Sequence, residues 1–366
     1  MKRLVLCFDG TWEMRASLRG RHKGSYPTNV EKIQIAVLRQ DTSVVPAVPQ
    51  VTAYYPGIGT GRLSHYWGGM TGAGISRTIC EAYSFIVDNF ILEEDQLFLF
   101  GFSRGAYTAR SLSGFMRWLG VLRKQDLRGL PEFYRDYRRP PGKRSSAIGK
   151  RLQDIRQGDQ QFPIRFLGVW DTVGSLGIPV PVIGRIFNWK KLVGFHDVAL
   201  SPNVSHAYQA LAVHERRWNF APDIWSSKYP GQKMEQAWFP GTHCDVGGGN
   251  QNSGLSDIAF RWMVCHAEQC DLSFDHTYLA RANPNCCSSI YNSSQGQWAV
   301  VPRWTRTFGA GMDECRHRSV DDRMNYIAAN PSVPHRSKWR AADHAAKRQL
   351  LPCRACTEPE PPCEAW

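Results

Sequence analysis

The pentapeptide GFSRG at residues 101–105 is the segment whose residue types and spacing most clearly indicate chemistry, because it fits the pattern G-x-S-x-G. It directly follows the unbroken apolar run 96–100 and precedes a stretch with helical spacing that extends to about Leu119. A serine on a sharp turn between a buried strand and a helix projects its hydroxyl above the sheet, where N–H groups at the start of the helix can stabilise an oxyanion. The pattern therefore predicts Ser103 as a nucleophile; the alternative is that Ser103 only caps the helix.

Asp171 and His243 are the candidates for the carboxylate and the base that a nucleophilic serine requires. Asp171 directly follows the apolar run 164–170, and His243 follows the strand-like run 234–239 and precedes a glycine-rich stretch. We expect both at the carboxyl ends of parallel strands, where open α/β sheets gather their functional groups. The alternatives are a turn or helix-capping role for Asp171 and a structural role for His243, with His317 as the second candidate base.

Backbone N–H groups must bind the oxyanion that such a site generates. One candidate is the N–H of Arg104, the residue after the nucleophile, and the others are those of Gly10 and Thr11 in the loop after the first apolar run. A tight turn that caps the following segment is an equally good interpretation of residues 9–12. Asp245, two residues after the candidate base, could orient that base or brace its loop.

The rest of the chain must position these residues, and its hydrophobic pattern predicts how. Continuous apolar runs typical of buried strands alternate with segments of helical periodicity. The runs include 3–8, 96–100 and 164–170, and the helical segments include 29–38, 75–92 and 255–265. This alternation predicts an α/β fold with a mostly parallel sheet flanked by helices.

We expect a single domain over residues 1–330 with two insertions that cap the core, at about 121–160 and 177–230. The first insertion carries eleven Lys or Arg residues against five Asp or Glu. The remaining residues, 331–366, are basic and contain proline and cysteine, which predicts a loosely ordered tail.

Composition excludes several classes of protein. Hydrophobic residues make up 42% of the 366, which excludes a collagen-like or wholly disordered chain. The formal net charge of +13 predicts attraction to polyanions, so an anionic membrane is a candidate for peripheral contact. No apolar run approaches the roughly 18 residues of a membrane span, and the N-terminal residues do not resemble a secretory leader, so we expect a cytoplasmic location. We expect most of the eleven cysteines to be reduced.

Four separated blocks of the sequence carry a resemblance to a known family. They are FDGTW at 8–12, GFSRGAYTAR at 101–110, VWDTVG at 169–174 and WFPGTHCDVGGG at 238–249. Together they resemble the α/β-hydrolase domain family that includes type VI secretion lipase effectors, over about residues 1–265. The resemblance implies that Ser103 is the nucleophile, Asp171 the acid of the triad and His243 the base.

The resemblance also implies a function and partners. It implies a serine hydrolase that cleaves carboxylic esters, most readily the acyl esters of phospholipids, with no metal or organic cofactor. Export by type VI secretion to target-cell membranes would then involve a secretion-system carrier, and an immunity protein could be a further partner. Nucleic acid is not an expected partner on this interpretation.

Two other functions fit parts of the sequence. Asp9, Asp171 and Asp245 at strand ends could hold a divalent ion for phosphoryl hydrolysis, with Ser103 a bystander. A non-catalytic module that binds nucleic acid through the basic insertion would explain the net charge.

Overall fold

Eight strands form one sheet in the part of the chain that a computed structural model describes, namely residues 1–10, 26–57, 72–174, 199–295, 298–299, 301–330 and 337–353. The strands are β1 (Arg3–Phe8), β2 (Gln40–Asp41), β3 (Val48–Tyr55), β4 (Gln96–Phe102), β5 (Ile164–Trp170), β6 (Val204–Ala212), β7 (Lys233–Phe239) and β8 (Glu314–Arg316). Their order is β2-β3-β1-β4-β5-β6-β7-β8, and every neighbouring pair is parallel except β2 and β3. The predicted α/β fold with a mostly parallel sheet is confirmed.

Helices cover both faces of the sheet, as a parallel sheet requires. They are α1 (Asn29–Ala36), α2 (Gly72–Asn89), α3 (Arg104–Leu119), α4 (Leu130–Tyr137), α5 (Ser146–Ile155), α6 (His243–Gly247), α7 (Gly254–Glu268), α8 (His276–Leu279), α9 (Arg318–Ala329) and α10 (Ser337–Gln349). One core lies between the sheet and α1 and α7, and a second lies between the sheet and α2, α3 and α4. Among the described helices, none combines the length and apolar character needed to cross a bilayer.

Alternate residues of β1 enter the two cores. Val5 and Cys7 contribute to the core with α1, whereas Leu4, Leu6 and Phe8 contribute to the core with α2 and α3. All five side chains are buried. A strand with apolar neighbours on both faces has no polar face, which explains why its sequence is a continuous apolar run.

The strand order reverses between β1 and β4. The chain continues from β1 towards β3 on one side and from β4 towards β5 on the other, so a crevice opens at the carboxyl ends of these two strands. The register pairs Phe8 with Gly101, which brings the residues after each strand side by side. This crevice is where an open α/β sheet binds its ligands.

The first predicted insertion, at about 121–160, is helical and lies outside the sheet. It contains α4, α5 and two 3-10 helices, Lys124–Gly129 and Pro141–Lys143. Helix α4 packs on α2 and α3, so the basic residues of the insertion form part of the surface beside these helices.

The prediction of a capping insertion at about 177–230 is wrong for residues 204–212, which form the interior strand β6. This strand contains the fully buried Gln209, whose side-chain amide donates to the Gln236 side chain at 3.0 Å. Because such polar residues interrupt its apolar pattern, β6 does not have the sequence typical of an interior strand. Residues 175–198 lie outside the described residues.

The prediction of a loosely ordered tail over 331–366 is wrong for residues 337–353. Helix α10 lies in this segment, and its Trp339 and Ala346 are buried in the cores. The other residues of the tail lie outside the described part of the chain.

A disulfide links Cys315 of β8 to Cys353, just after α10. It attaches the end of the C-terminal segment to the edge of the sheet. The seven other cysteines that the structure describes are thiols that take no part in a disulfide, in line with the expectation that most are reduced.

Candidate active site

Ser103 lies on the tight turn between β4 and α3. Its backbone angles, φ 57° and ψ −121°, are strained for an L-residue and turn the side chain above the sheet. The flanking glycines are required by close backbone contacts. A Cβ on Gly101 would lie 2.6 Å from the carbonyl oxygen of Gly105, and one on Gly105 would lie 2.1 Å from the carbonyl oxygen of Phe8. The Ser103 hydroxyl makes no capping bond to α3, so the helix-cap interpretation is wrong.

Ser103, His243 and Asp171 form one continuous chain of hydrogen-bond contacts at the carboxyl ends of β4, β7 and β5. The Oγ of Ser103 lies 2.8 Å from Nε2 of His243, and the Oδ2 of Asp171 lies 2.6 Å from Nδ1 of the same ring. All three residues are buried, with fractional exposures of 8%, 4% and 0% respectively. Water is therefore largely excluded from the contacts, which strengthens them electrostatically.

Helix α6 positions the imidazole, because it begins at His243. Thr242 and Asp245 form a capping box at its start, in which the Thr242 N–H donates to Oδ2 of Asp245 at 2.9 Å. The backbone N–H of Tyr291 donates to the same oxygen at 3.0 Å. Of the two roles considered for Asp245, these contacts match the bracing of the turn that carries His243.

Arg306 binds both oxygens of Asp171, and no motif in the sequence marks this residue. Its Nη1 lies 2.5 Å from Oδ1 and its Nη2 lies 2.8 Å from Oδ2, and the ion pair is almost completely buried. The guanidinium also donates to the carbonyl oxygens of Ala212 and Phe220, at 2.8 Å and 2.7 Å. Although burial opposes ionisation, the charge and hydrogen bonds of Arg306 and the contact with His243 hold the pKa of Asp171 well below its usual range. Asp171 is therefore a fixed negative charge.

His243 lies in an apolar, aromatic environment. Its ring centroid is 4.7 Å from that of Phe102 and 4.9 Å from that of Phe220. Burial lowers the pKa of His243, and the hydrogen bond and charge of Asp171 oppose this shift. The imidazole is therefore neutral at pH 7 and can accept a proton.

A second buried carboxylate, Glu215, supports the backbone of His243. Its Oε2 accepts the N–H of His243 at 3.3 Å, and Arg217 binds it through Nε and Nη2, both at 2.9 Å. The Arg217 guanidinium lies 3.5 Å from the centroid of the Phe220 ring. Although burial raises the pKa of Glu215, Arg217 and Arg306 lower it to about 2. No motif marks Glu215 or Arg217, so the sequence alone does not reveal them.

A third contact reaches the same turn from the C-terminal segment. Asp343 of α10 pairs with Nε2 of His214 at 3.0 Å, and both side chains are buried. The Nδ1 of His214 accepts the backbone N–H of Gly241 at 2.8 Å. Gly241 has φ +115°, a conformation that L-residues rarely adopt, and it lies two residues before His243.

Of the predicted oxyanion donors, the N–H of Arg104 has a position that fits the role and the N–H of Gly10 does not. Arg104 is the first residue of α3, next to Ser103. The N–H of Gly10 instead donates to Oδ1 of Asp9 at 2.7 Å, so the predicted role of this amide at the oxyanion does not fit the structure. A Cβ on Gly10 would nevertheless lie 3.5 Å from Cβ of Ser103, so the loop after β1 borders the site. Thr11 lies outside the described residues.

Asp9 organises that loop. Its Oδ2 accepts the hydroxyls of Thr28 and Tyr54, at 2.8 Å and 2.6 Å, while its other oxygen binds the next residue's amide. Asp9 is thus a buried hydrogen-bond acceptor that supports the loop after β1.

His317 does not join the site. Its Nδ1 lies 2.8 Å from Oγ of Ser319 at the start of α9, and its ring stacks on Phe239 with centroids 4.4 Å apart. Burial lowers the pKa of His317 to about 3. The interpretation of His317 as the second candidate base is therefore wrong.

The three strand-end aspartates do not form a carboxylate cluster. Among the residues that the structure describes, the group of metal-ligand side chains that could meet at one ion consists of Glu235, Cys315 and Cys353. Two of these are the disulfide cysteines. The arrangement proposed for metal-assisted phosphoryl hydrolysis is thus not present in the described residues.

With this sheet order and a strained serine on the turn after β4, the molecule has an α/β-hydrolase-like fold. The family can be stated as well. Residues 2–266 match the model of the family described as "T6SS, Phospholipase effector Tle1-like, catalytic domain", and because this is more than half of the chain, the chain belongs to that family.

The individual proteins to which the chain is similar share only 15–28% sequence identity with it. An uncharacterized protein of Saccharomyces cerevisiae is 28% identical over 246 residues, which are 60% of this chain and 32% of the yeast protein. Two solved structures are also similar. An uncharacterized protein from Pseudomonas aeruginosa has a TM-score of 0.44 and 15% sequence identity over 93% of this chain. The Tle1 effector bound to the VgrG spike of the type 6 secretion system has a TM-score of 0.40 and 20% sequence identity over 70% of this chain. Each similarity covers 52% of the solved chain, so this chain spans about a third to a half of these relatives.

Proposed function

We propose that this protein is a serine hydrolase that cleaves the acyl esters of phospholipids through Ser103, His243 and Asp171. The observation that carries the proposal is the continuous contact from Oγ of Ser103 through the imidazole to the Asp171 carboxylate, at 2.8 Å and 2.6 Å. The strained turn at Ser103 supports it, since strain of this kind is found where the backbone must present a reactive group.

The reaction has two steps with a common set of groups. As Oγ of Ser103 attacks the acyl carbonyl carbon, Nε2 of His243 takes the hydroxyl proton, and it then donates that proton to the departing alcohol oxygen. Water, deprotonated by the same imidazole, then hydrolyses the acyl-enzyme. The ionised Asp171 fixes the tautomer with the proton on Nδ1 and stabilises the transient imidazolium.

The oxyanion would form beside the first turn of α3. The N–H of Arg104 is the proposed donor, because it follows the nucleophile and the helix N-terminus adds a positive partial charge. The loop after β1 borders the same position, because a Cβ on Gly10 would lie 3.5 Å from Cβ of Ser103.

The family supports the choice of substrate. Its description names phospholipase effectors. The similar solved effector is bound to a VgrG spike, so we also propose a spike protein of a type VI secretion system as a carrier for export. An immunity protein would be a further partner.

Product analysis on vesicles tests the proposal. Wild-type protein should release free fatty acid and lysophospholipid from mixed phospholipid vesicles, detected by mass spectrometry. Ser103→Ala should lower this release by roughly 10⁴-fold or more, because the groups of a triad act as a unit. Ser113→Ala is a matched control on the same helix, since the Ser113 hydroxyl donates only to the Arg110 carbonyl oxygen among the described residues, at 2.7 Å. Release of phosphorylated headgroups without fatty acid would contradict the proposal.

A further inference from the structure

A groove of about 780 Å³ lies on the surface between α2 and α4, outside the site described above. Four arginines line it: Arg77 from α2, and Arg135, Arg138 and Arg139 from α4 and the residues that follow it. Glu81 is the acidic residue in the lining, so the lining carries a net charge of +3. We call this surface the arginine groove.

Nearby carboxylates neutralise only part of the arginine groove. Glu81 pairs with Arg77 at 2.7 Å and Asp136 pairs with Arg139 at 3.1 Å, whereas Glu132 lies 3.0 Å from Arg151, outside the groove lining. Arg135 forms no ion pair with any carboxylate of the described residues. The surface therefore keeps an excess of guanidinium groups, whose planar donors suit the oxygens of a phosphate.

The floor of the arginine groove is less polar than its rim. Cys80, Pro131 and the buried Tyr134 contribute to its lining. An apolar floor with a cationic rim matches a ligand that joins an apolar part to an anionic phosphate, as a phospholipid does.

The arginine groove lies beside the catalytic turn. Thr78, the residue after Arg77, borders a small cavity together with Arg104 and Gly105 at the start of α3. On the α4 side of the groove, the charge of Arg138 interacts with the hydroxyl of Tyr107, a residue that lies one helical turn after Ser103. Burial and the Asp223 charge raise the pKa of the Tyr107 hydroxyl, and the positive charge of Arg138 opposes this rise.

We propose that the arginine groove binds the phosphate of an anionic phospholipid headgroup at a membrane surface and holds the catalytic turn against the bilayer. The inference rests on the proposed function in that it places the headgroup region beside a site that cleaves lipid esters. Basic residues near an anionic leaflet add to one another in binding, so the net positive charge of the arginine groove acts as a whole.

The test measures binding of the Ser103→Ala protein to vesicles, so that turnover does not change the lipid. Vesicles of phosphatidylcholine alone are compared with vesicles that also contain phosphatidylglycerol, at one ionic strength. The groove variant is Arg135→Gln with Arg138→Gln. The matched control is Arg128→Gln with Lys143→Gln, which removes two exposed charges from the same insertion but outside the groove lining.

We expect tighter binding to the phosphatidylglycerol vesicles, and a dissociation constant roughly 20-fold higher in the groove variant, since each basic residue at an anionic surface contributes about fivefold. The control pair should raise it by no more than a few fold. Equal effects of the two pairs, no effect of the groove pair, or no preference for phosphatidylglycerol would overturn the inference. Tighter binding of a duplex oligonucleotide that depends on the same two arginines would also overturn it and assign the groove to nucleic acid.

Hydrolysis of a soluble short-chain ester by the wild-type protein separates this inference from the proposed function. If the ester is not cleaved but the vesicle results hold, the proposed function fails and the lipid site stands. If the ester is cleaved but the groove variant binds vesicles as tightly as the protein with an intact groove, the proposed function stands and the lipid site in the arginine groove fails.

Discussion

Residues 2–266, which match the family model, supply Ser103, His243 and Asp171, whereas residues 301–353 supply Arg306 and Asp343. The first region provides the groups that would react and some of their supports, among them Glu215 and Asp245, and the second provides further buried partners that hold those groups. Part of the support for the proposed triad thus comes from a different stretch of the sequence, and that stretch contains no recognisable motif.

The comparison teaches why the two regions differ in what their sequences reveal. A reactive serine needs a backbone that only small neighbours permit, so the requirement is written into adjacent residues such as Gly101 and Gly105. A supporting guanidinium needs only to reach Asp171 through space, and 135 residues separate the two partners. Substitutions in the two regions should therefore have effects of different kind and size.

The largest effect is expected for Asp171→Asn. The amide cannot hold the imidazole in the required tautomer or stabilise the imidazolium, so kcat for a short-chain ester should fall by roughly 10⁴-fold. The matched control is Asp41→Asn, because Asp41 also forms a buried ion pair, with Arg3 at 2.7 Å, away from the site. Steady-state kinetics and thermal unfolding of both variants check this. A similar fall of kcat in Asp41→Asn would show that loss of stability alone explains the effect.

Arg306→Gln should come next and tests whether the second region supports the first. Removing two hydrogen bonds from Asp171 releases its orientation, and a displacement of about 1 Å at a reacting group can reduce the rate on the order of 10²-fold. The unpaired buried carboxylate should also lower the free energy of unfolding by about 3–5 kcal/mol. Arg3→Gln breaks the comparable Arg3–Asp41 pair and should lower stability without that fall in kcat. Unchanged kcat in a folded Arg306→Gln protein would show that Arg306 does not position Asp171.

As the pH is lowered, the protein should lose activity at a higher pH than the pH at which it unfolds. Burial lowers the pKa of His243, and the base must be neutral, so kcat/KM should fall only as the pH drops below about 6.5. The pKa values of Asp171 and Glu215 are lower in the folded than in the unfolded protein, so their stabilisation is complete above about pH 4.5 and is lost as the pH falls further. A pH–rate profile and a pH series of unfolding curves measure both. An acid limb above pH 7 would conflict with the buried, neutral imidazole.

The smallest effect is expected for Asp343→Asn, which acts through His214 and Gly241. The loss of the buried contact between the Asp343 carboxylate and the His214 imidazole should cost about 1–3 kcal/mol of stability, with kcat reduced by less than about tenfold. The control is His276→Asn, because the His276–Glu268 pair is exposed, and it should leave both quantities unchanged. Kinetics and thermal unfolding decide the case. A fall of kcat as large as that of Arg306→Gln would contradict this ranking, because it would show that the contact from Asp343 through His214 to Gly241 positions His243 as strongly as Arg306 positions Asp171.

Much of the fold was predictable, because strands buried on both faces and helices with one buried stripe have characteristic patterns. Strand β6 was missed because hydrogen bonds to other side chains allow the polar Gln209 to be buried within it. Helix α10 was missed because its charged composition, with Lys347 and Arg348 in its last turn, resembles that of a disordered tail.

The site was predictable to the extent that local backbone geometry dictates residue types. Ser103, Asp171 and His243 were predictable from their motifs, and the structure brings them together. Arg306 and Glu215 were not predictable, because their contacts join distant parts of the chain and no spacing reveals them.

Reaction with a fluorophosphonate probe, with the labelled peptide identified by mass spectrometry, tests the central claim most directly. Such probes react only with serines whose hydroxyl is activated by a base. We expect a single label on Ser103 in the wild-type and His317→Ala proteins, and none in His243→Ala. A folded wild-type protein without label, or equal labelling of Ser103 in His243→Ala, would contradict the claim that His243 activates Ser103.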